Sequence, residues 1–353
     1  MNCSEGYNLR DTRIKKYEKL VKPNELIDSI KPSEKASKTI VETRTIISNI
    51  IKRLDNRLLF IVGPCSIHNK EQAIDYGYKL NELREKVSDK IIIVMRTYME
   101  KPRTSVGWKG FINDPYLNGS YNINEGLKKS RELLCELNDI GLPCSCEILD
   151  TITPQYISDL ISWGAIGART SESQVHRQIV SGLSMPIGYK NSTSGDVCTA
   201  AYSIISSRAE HTFMAITGEG QPALCQTTGN EDCHLILRGG KDNTNYDSDS
   251  ITEVTEILKR KEIDPRIMVD CSHGNSLKNY KNQPEVFRNV IEQIKNGNQD
   301  IFGIMIESNI NEGKQKLDET LNSSSLKYGV SVTDCCINFD YTEKIIMESY
   351  NLL

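Results

Sequence analysis

A chain of 353 residues, 38% hydrophobic and 25% charged, has enough material for one large core plus an extension. Its net charge of −4 argues against a nucleic-acid partner. No apolar run approaches the ~18 residues of a membrane span, and MNCSEGYNLRDTRIKK lacks the apolar centre of a signal peptide, so a cytoplasmic protein with no membrane contact is expected. Eleven cysteines without regular spacing read as reduced thiols.

Residues 1–20 are polar and of mixed charge, and read as a flexible arm. Pro23-Asn24 opens a short helical stretch, and Ile40, Ile47, Ile51 and Leu54 recur at helical spacing. From Arg57 onward, short apolar runs alternate with helix-like segments near 69–87, 124–140, 154–162, 172–182, 195–209, 249–261, 284–296 and 335–351. Such alternation is the mark of parallel βα units. Unbroken apolar runs are expected where both faces of a strand are buried.

Eight of these runs end in a residue able to do chemistry. LLFIVGPC reaches Cys65, IIIVMR Arg96, LPCSCE Glu147 and AIGAR Arg169. PIGYK reaches Lys190, HLILR Arg238, RIMVDCSH Asp270 and His273, and IFGIMIE Glu307. In a (β/α)8 barrel all strand C-termini share one face, which carries the active site. The expected fold is therefore an α/β (β/α)8 TIM barrel over 57–353, with an arm and helical extension over 1–56. HTFMAIT is a ninth candidate strand. Because Arg238 stands where a functional residue should, the barrel place goes to 234–238, and 212–226 becomes an inserted β-hairpin before barrel strand six. The segment 97–122 is a long loop, and its Trp and Phe argue for order.

Arg96, Lys101, Arg103, Arg169, Lys190 and Arg238 fall at strand ends or in that loop. Any one of them reads most simply as a barrel-mouth ion pair. Six converging on one face of an acidic protein repel one another, and such a cluster normally exists to receive anions. Two phosphates, each about −1.5 to −2 at pH 7, and a carboxylate match the count better than one phosphate. Cys65, His273, Glu307 and Asp334 each have a plain reading: a small buried hydrophobe, a hydrogen-bonded core histidine, an arginine partner, and an N-cap for a helix beginning at Cys335. Together they offer one thiolate, one imidazole and two carboxylates, a mixed set suited to one divalent metal ion (Mn, Fe, Co or Zn).

The blocks GPCSIH, RTYMEKPRTSVGWKGFINDP, SWGAIGARTSESQVHR, GNEDCHLILRGGK, MVDCSHGNS, IFGIMIESNINEG and KYGVSVTDCCI, in this order, resemble the metal-dependent DAHP synthases of the shikimate pathway. The resemblance covers nearly the whole chain. It implies condensation of phosphoenolpyruvate with erythrose 4-phosphate to 3-deoxy-arabino-heptulosonate 7-phosphate (DAHP) and phosphate. By position it assigns Arg96, Lys101, Glu147, Arg169, Lys190 and Arg238 to phosphoenolpyruvate, and Arg103 and Thr104 to the sugar phosphate. Cys65, His273, Glu307 and Asp334 become metal ligands, and Lys101, Cys65 and His273 the catalytic set, with Lys101 delivering a proton to the nascent alkoxide.

The resemblance also implies a homodimer or homotetramer inhibited by an aromatic amino acid. The matching effector positions include Pro154, Gln155, Ile179, Leu183, Ser184 and Ala215. Ala215 stands where relatives carry Ser or Gly, Gly218-Glu219 replaces a Lys and a variable residue, and KNSTSG replaces the usual KNGTDG. Tyrosine is favoured over phenylalanine because Ala215 leaves room as Gly would. A sibling synthase using arabinose 5-phosphate is opposed by the KPRTSVGWKG loop, and a catalytically dead sensor by the complete ligand and cation set.

Overall fold

The structure is a computed structural model that describes residues 9–317 and 325–353. Residues 1–8 of the expected arm lie outside the described residues, and 9–22 run without helix or strand. Two helices precede the barrel, α1 (Pro23–Ser29) and α2 (Glu34–Ile51). Proline opens α1 with its φ already set for a helix. Ser33 caps α2 by accepting from the Ala36 N–H.

The barrel strands are β1 (Leu58–Gly63), β2 (Ile91–Arg96), β3 (Cys144–Glu147), β4 (Trp163–Ile166) and β5 (Ile187–Lys190). They continue with β8 (Cys233–Leu237), β9 (Ile267–Asp270) and β10 (Ile301–Asn309). All neighbours are parallel, and the Leu59–Gly303 to Gly63–Glu307 register joins β1 to β10 and closes the ring. The outer helices are α3 (Lys70–Val87), α4 (Ile123–Asp139), α5 (Pro154–Ile157), α6 (Gln174–Val180), α7 (Cys198–Arg208), α8 (Ser248–Arg260), α9 (Gln283–Lys295) and α10 (Phe339–Leu352). β6 (Thr212–Ile216) and β7 (Pro222–Gln226) form a separate antiparallel hairpin, so Cys233–Leu237 holds the sixth barrel place as the sequence indicated.

Alternation within each strand divides the core. Phe60 and Val62 face the helices, while Leu59 and Ile61 face the barrel axis with Val94, Ile236, Met268 and Phe302. Ile47, Ile50 and Ile51 of α2 join that inner cluster and plug the end where the strands begin. Trp163 Nε1 donates to His234 Nε2 at 2.9 Å inside it, which satisfies both rings away from water.

One local expectation fails. The last helix starts at Phe339, capped by Asn338, so Asp334 caps no helix. Instead a two-residue strand, β11 (Ile337–Asn338), pairs with the end of β10, and Cys336 exchanges backbone hydrogen bonds with Gly313 at 2.8 and 3.1 Å. These contacts hold 334–336 as a fixed loop over the barrel mouth. Cys335 and Cys336 are both free thiols. None of the described helices is long and apolar enough to cross a membrane.

Candidate active site

The strand C-termini open into a cavity of about 430 Å³. Of the residues singled out from sequence, Lys101, Arg103, Thr104, Glu147, Arg169, Lys190, Arg238, His273, Glu307 and Asp334 line it. Cys65 and Arg96, both fully buried, lie beneath it. The eight strand ends thus converge as the apolar runs implied.

The deep tier is tightly bonded. Arg96 donates to Glu307 Oε1 at 3.1 Å and lies over the Tyr98 ring, its carbon 4.0 Å from the ring centre. Lys190 Nζ pairs with Asp270 Oδ2 at 2.8 Å, with both side chains buried. Burial would raise the Asp270 carboxyl, but Lys190 and His273 hold it well below the usual range. Lys101 Nζ donates to the Cys65 carbonyl at 3.3 Å. Burial works against its charge, but Cys65, Glu307 and Glu147 hold its pKa above the ordinary value, so it is an ammonium at neutral pH.

The rim is different. Arg103, Thr104 and Arg169 are exposed, and Arg169 reaches Thr104 Oγ1 at 3.1 Å, joining the loop after β2 to the one after β4. Burial lowers the Arg238 pKa. Among the described residues Arg103, Arg169 and Arg238 make no ion pair within 4.0 Å. Unpaired cations facing one cavity are poised for anions.

The candidate metal donors also gather. One donor atom each of Cys65, Glu307 and Asp334 lies within 4.8 Å of the others. His273 Nε2 stands 3.7 Å from Glu307 Oε1. Its Nδ1 is 2.9 Å from Asp270 Oδ2 and 2.6 Å from Ser272 Oγ, a contact that orients the ring and leaves Nε2 toward the other donors. Burial, then the Glu307 charge, pushes the Cys65 thiol up to about 11, and a dication would reverse this by favouring the thiolate. Burial would raise Asp334, but Lys101, His273 and Lys314 outweigh it and hold the carboxyl below its usual value. A soft thiolate beside imidazole and carboxylates fits a first-row divalent ion.

Backbone geometry sets these positions. A Cβ on Gly167 would come within 2.2 Å of Glu147 Oε1, so the glycine of AIGAR gives that carboxylate room. A Cβ on Gly239 would come 2.5 Å from the Gly274 carbonyl carbon, so glycines let the loops carrying Arg238 and His273 touch. Three buried asparagines, not singled out from sequence, tie these loops together. Asn191 accepts from the Arg238 N–H at 2.8 Å, Asn245 from the Gly239 N–H at 2.8 Å, and Asn275 donates to the Asp270 carbonyl at 3.0 Å. Their signal was an Asn within a few residues of each functional side chain, in KNSTSG, RGGKDNTN and DCSHGNS. Lys278 and Lys314 also line the cavity and were missed, because neither ends an apolar run.

The six effector positions lie away from this cavity. Pro154 opens α5 and Ile179 lies in α6, whose end meets the hairpin base through Ser181 and Thr227, 2.6 Å apart. Asn24 of α1 donates its N–H to the Gly218 carbonyl at the hairpin tip at 2.8 Å.

Comparison with known proteins places the chain. The pattern of the DAHP synthetase I family matches residues 32–347. A phospho-2-dehydro-3-deoxyheptonate aldolase of Escherichia coli, described as Phe-sensitive, is 46% identical over 346 residues, covering 98% of each chain. A tyrosine-inhibited one of Candida albicans is 49% identical over 340 residues, covering 95% of this chain and 92% of the relative. The structure of a phospho-2-dehydro-3-deoxyheptonate aldolase from Francisella tularensis superposes with a TM-score of 0.93 at 47% identity, covering 96% of this chain and 98% of that one. This chain belongs to the DAHP synthetase I family.

Proposed function

We propose that the protein condenses phosphoenolpyruvate with D-erythrose 4-phosphate to give DAHP and inorganic phosphate, the first step of the shikimate pathway. The observation that carries this is the meeting of unpaired cations and a Cys/His/Glu/Asp donor set in one cavity at the strand C-termini. The aldolase names of the relatives support it.

In this reading Lys101, Arg169, Lys190 and Arg238, with Arg96 and Glu147 behind them, hold phosphoenolpyruvate by its phosphate and carboxylate. Arg103 and Thr104 hold the phosphate of the aldose, and the Arg169–Thr104 contact brings the two anion sites together. C3 of the enol bonds to the aldehyde carbon, and Lys101 supplies the proton to the alkoxide oxygen. Water then adds at C2, and phosphate leaves by C–O cleavage. Cys65, His273, Glu307 and Asp334 would hold a divalent ion, which as a Lewis acid supplies polarisation of the aldehyde oxygen. Asp270 fixes both Lys190 and the His273 ring.

The test is phosphate release from the two substrates before and after chelation. Activity, its loss with EDTA and its rescue by Mn or Co are expected; no release with any divalent ion refutes the reading. Faster turnover with arabinose 5-phosphate would favour the sibling synthase.

Regulation belongs to the same reading. One relative is named Phe-sensitive and another tyrosine-inhibited. We take Pro154, Gln155, Ile179, Leu183, Ser184 and Ala215 as the effector site, with tyrosine favoured. Assays with each amino acid at millimolar levels decide between them, and indifference to both rejects the site. Residues 1–56 act as an extension to the 57–353 barrel of a cytoplasmic homodimer or homotetramer.

A further inference from the structure

Two cations in the cavity have no place in the assignment above. Lys278 follows β9 and Lys314 follows β10. The assigned cations rise from the β2, β4, β5 and β8 ends, so these two occupy the arc that otherwise carries only metal donors. We propose that Lys278 and Lys314 form a further anion subsite that takes a phosphate dianion on the metal side of the cavity. The inference rests on the proposed condensation for its substrates, although the subsite can be probed without turnover.

Backbone geometry supports Lys278. His273, Leu277 and Lys278 all have left-handed backbones, with φ of 57°, 53° and 60°. Non-glycine residues seldom adopt this conformation, and side-chain placement at a functional site is a common reason for it. The Lys278 N–H donates to the His273 carbonyl at 2.8 Å, so one closed turn presents His273 and Lys278 to the same cavity.

Lys314 is placed by a second clip. Gly313 bonds to Cys336 on both sides, and the Gln315 N–H donates to Ser331 at 2.8 Å, so Lys314 is fixed beside the loop that carries Asp334. Neither lysine makes an ion pair among the described residues, and both are exposed at the rim.

Charge matching points to phosphate. Two phosphate monoesters and a carboxylate bring roughly four to five negative charges. The six assigned cations and a dication, set against Glu147, Asp270, Glu307, Asp334 and the Cys65 thiolate, leave about three positive charges. Lys278 and Lys314 cover the missing one to two. The dianion is the phosphate released at C2, since Arg103 and Thr104 take the phosphate of the aldose.

The experiment uses Lys278→Gln, Lys314→Gln and the double variant in the metal-loaded protein. Each single change should raise one constant roughly tenfold, consistent with losing one charge-assisted contact, with kcat and the KM for phosphoenolpyruvate within about threefold. Arginine at either position should restore most of the loss. The constant that rises should be the product-inhibition constant of phosphate, and a rise confined to the KM for erythrose 4-phosphate overturns the assignment to the released ion. Calorimetric titration with inorganic phosphate should show weakened binding in the double variant, and this reading does not depend on turnover. Unchanged constants together with unchanged phosphate binding, or a change confined to phosphoenolpyruvate, overturn the subsite. An inactive wild type would instead reject the proposed condensation.

Discussion

The closed end of the barrel and the rim of its open end treat charge in opposite ways. Where the strands begin, Arg53 pairs with Asp264 and Asp300 at 3.1 and 3.0 Å, and Arg57 with Asp55 at 2.6 Å. Arg266 donates to the carbonyls of Gln299 and Ile50 at 2.7 Å each and lies over the Phe302 ring. That end is closed by α2 and its charges serve the fold. At the other end Arg103, Arg169 and Arg238 face open space without an acidic partner among the described residues. Arginine is thus paired where the strands begin and left without a carboxylate partner at the rim of the other end, among the described residues. Neutralisation within the chain separates the two uses.

This contrast can be broken most sharply at Cys65. Cys65→Ala should cut metal-dependent turnover by about a thousandfold or more, since a ligand is lost from an assembled site. Its far-ultraviolet circular dichroism should match the wild type, and retention of full rate would reject the ligand set. At the closed end Ile50→Ala should cost about 2–5 kcal/mol of stability, because Ile50 is fully buried against the barrel interior. Denaturant titration reads that loss, and the KM values of the remaining folded enzyme should be unaltered.

Arg238→Gln should reverse this pattern. One charge-assisted anion contact is worth about 1.5–3 kcal/mol, so kcat/KM for phosphoenolpyruvate should fall roughly tenfold to a hundredfold. Melting temperature should hold or rise as an unpaired cation is removed. A large loss of stability would mean that Arg238 is a staple after all.

Proton linkage sharpens the comparison further. With the Cys65 thiol at about 11 in the metal-free protein, metal binding near pH 7.5 should release about one proton, and affinity should weaken as pH falls. Calorimetry in buffers of different ionisation enthalpy measures the release, and Cys65→Ser should abolish it.

The smallest effect is expected at Glu100, in the loop after β2. Burial first, then the Asp150 charge, pushes its carboxyl up to about 8. The fold keeps a proton that the unfolded chain loses above about pH 4.3. The associated stability is therefore present below that pH and declines as pH climbs towards 8. Glu100→Gln should melt a few degrees higher than the wild type at pH 8 and match it at about pH 4. A constant difference at both values would remove Glu100 from the account.

Much of the site was legible because a parallel barrel turns sequence order into spatial order. A residue at the end of a buried apolar run must reach the mouth, and Glu147, Lys190, Asp270 and Glu307 do so on those grounds alone. Asp334 was grouped with Cys65, His273 and Glu307 as a donor although it ends no apolar run. Its local reading as a helix cap failed because Asn338 caps α10 and the preceding residues pair with β10 and Gly313 instead. Lys278 and Lys314 were not legible, because a left-handed turn and a loop clip place them and neither leaves a periodic trace.

The sequence by itself determined the alternation of strands and helices, the exclusion of HTFMAIT from the ring, and the identities of the residues at each strand end. Periodicity and burial are local consequences of side-chain chemistry, so a linear reading recovers them. Tertiary structure alone decided which cations are neutralised. Arg96 meets Glu307 across the β1–β10 closure and Lys190 meets Asp270 from β5 to β9, while Arg238 meets no carboxylate within 4.0 Å among the described residues. Ion pairing depends on distances of a few ångströms between residues far apart in the chain, and only the closed barrel sets those distances.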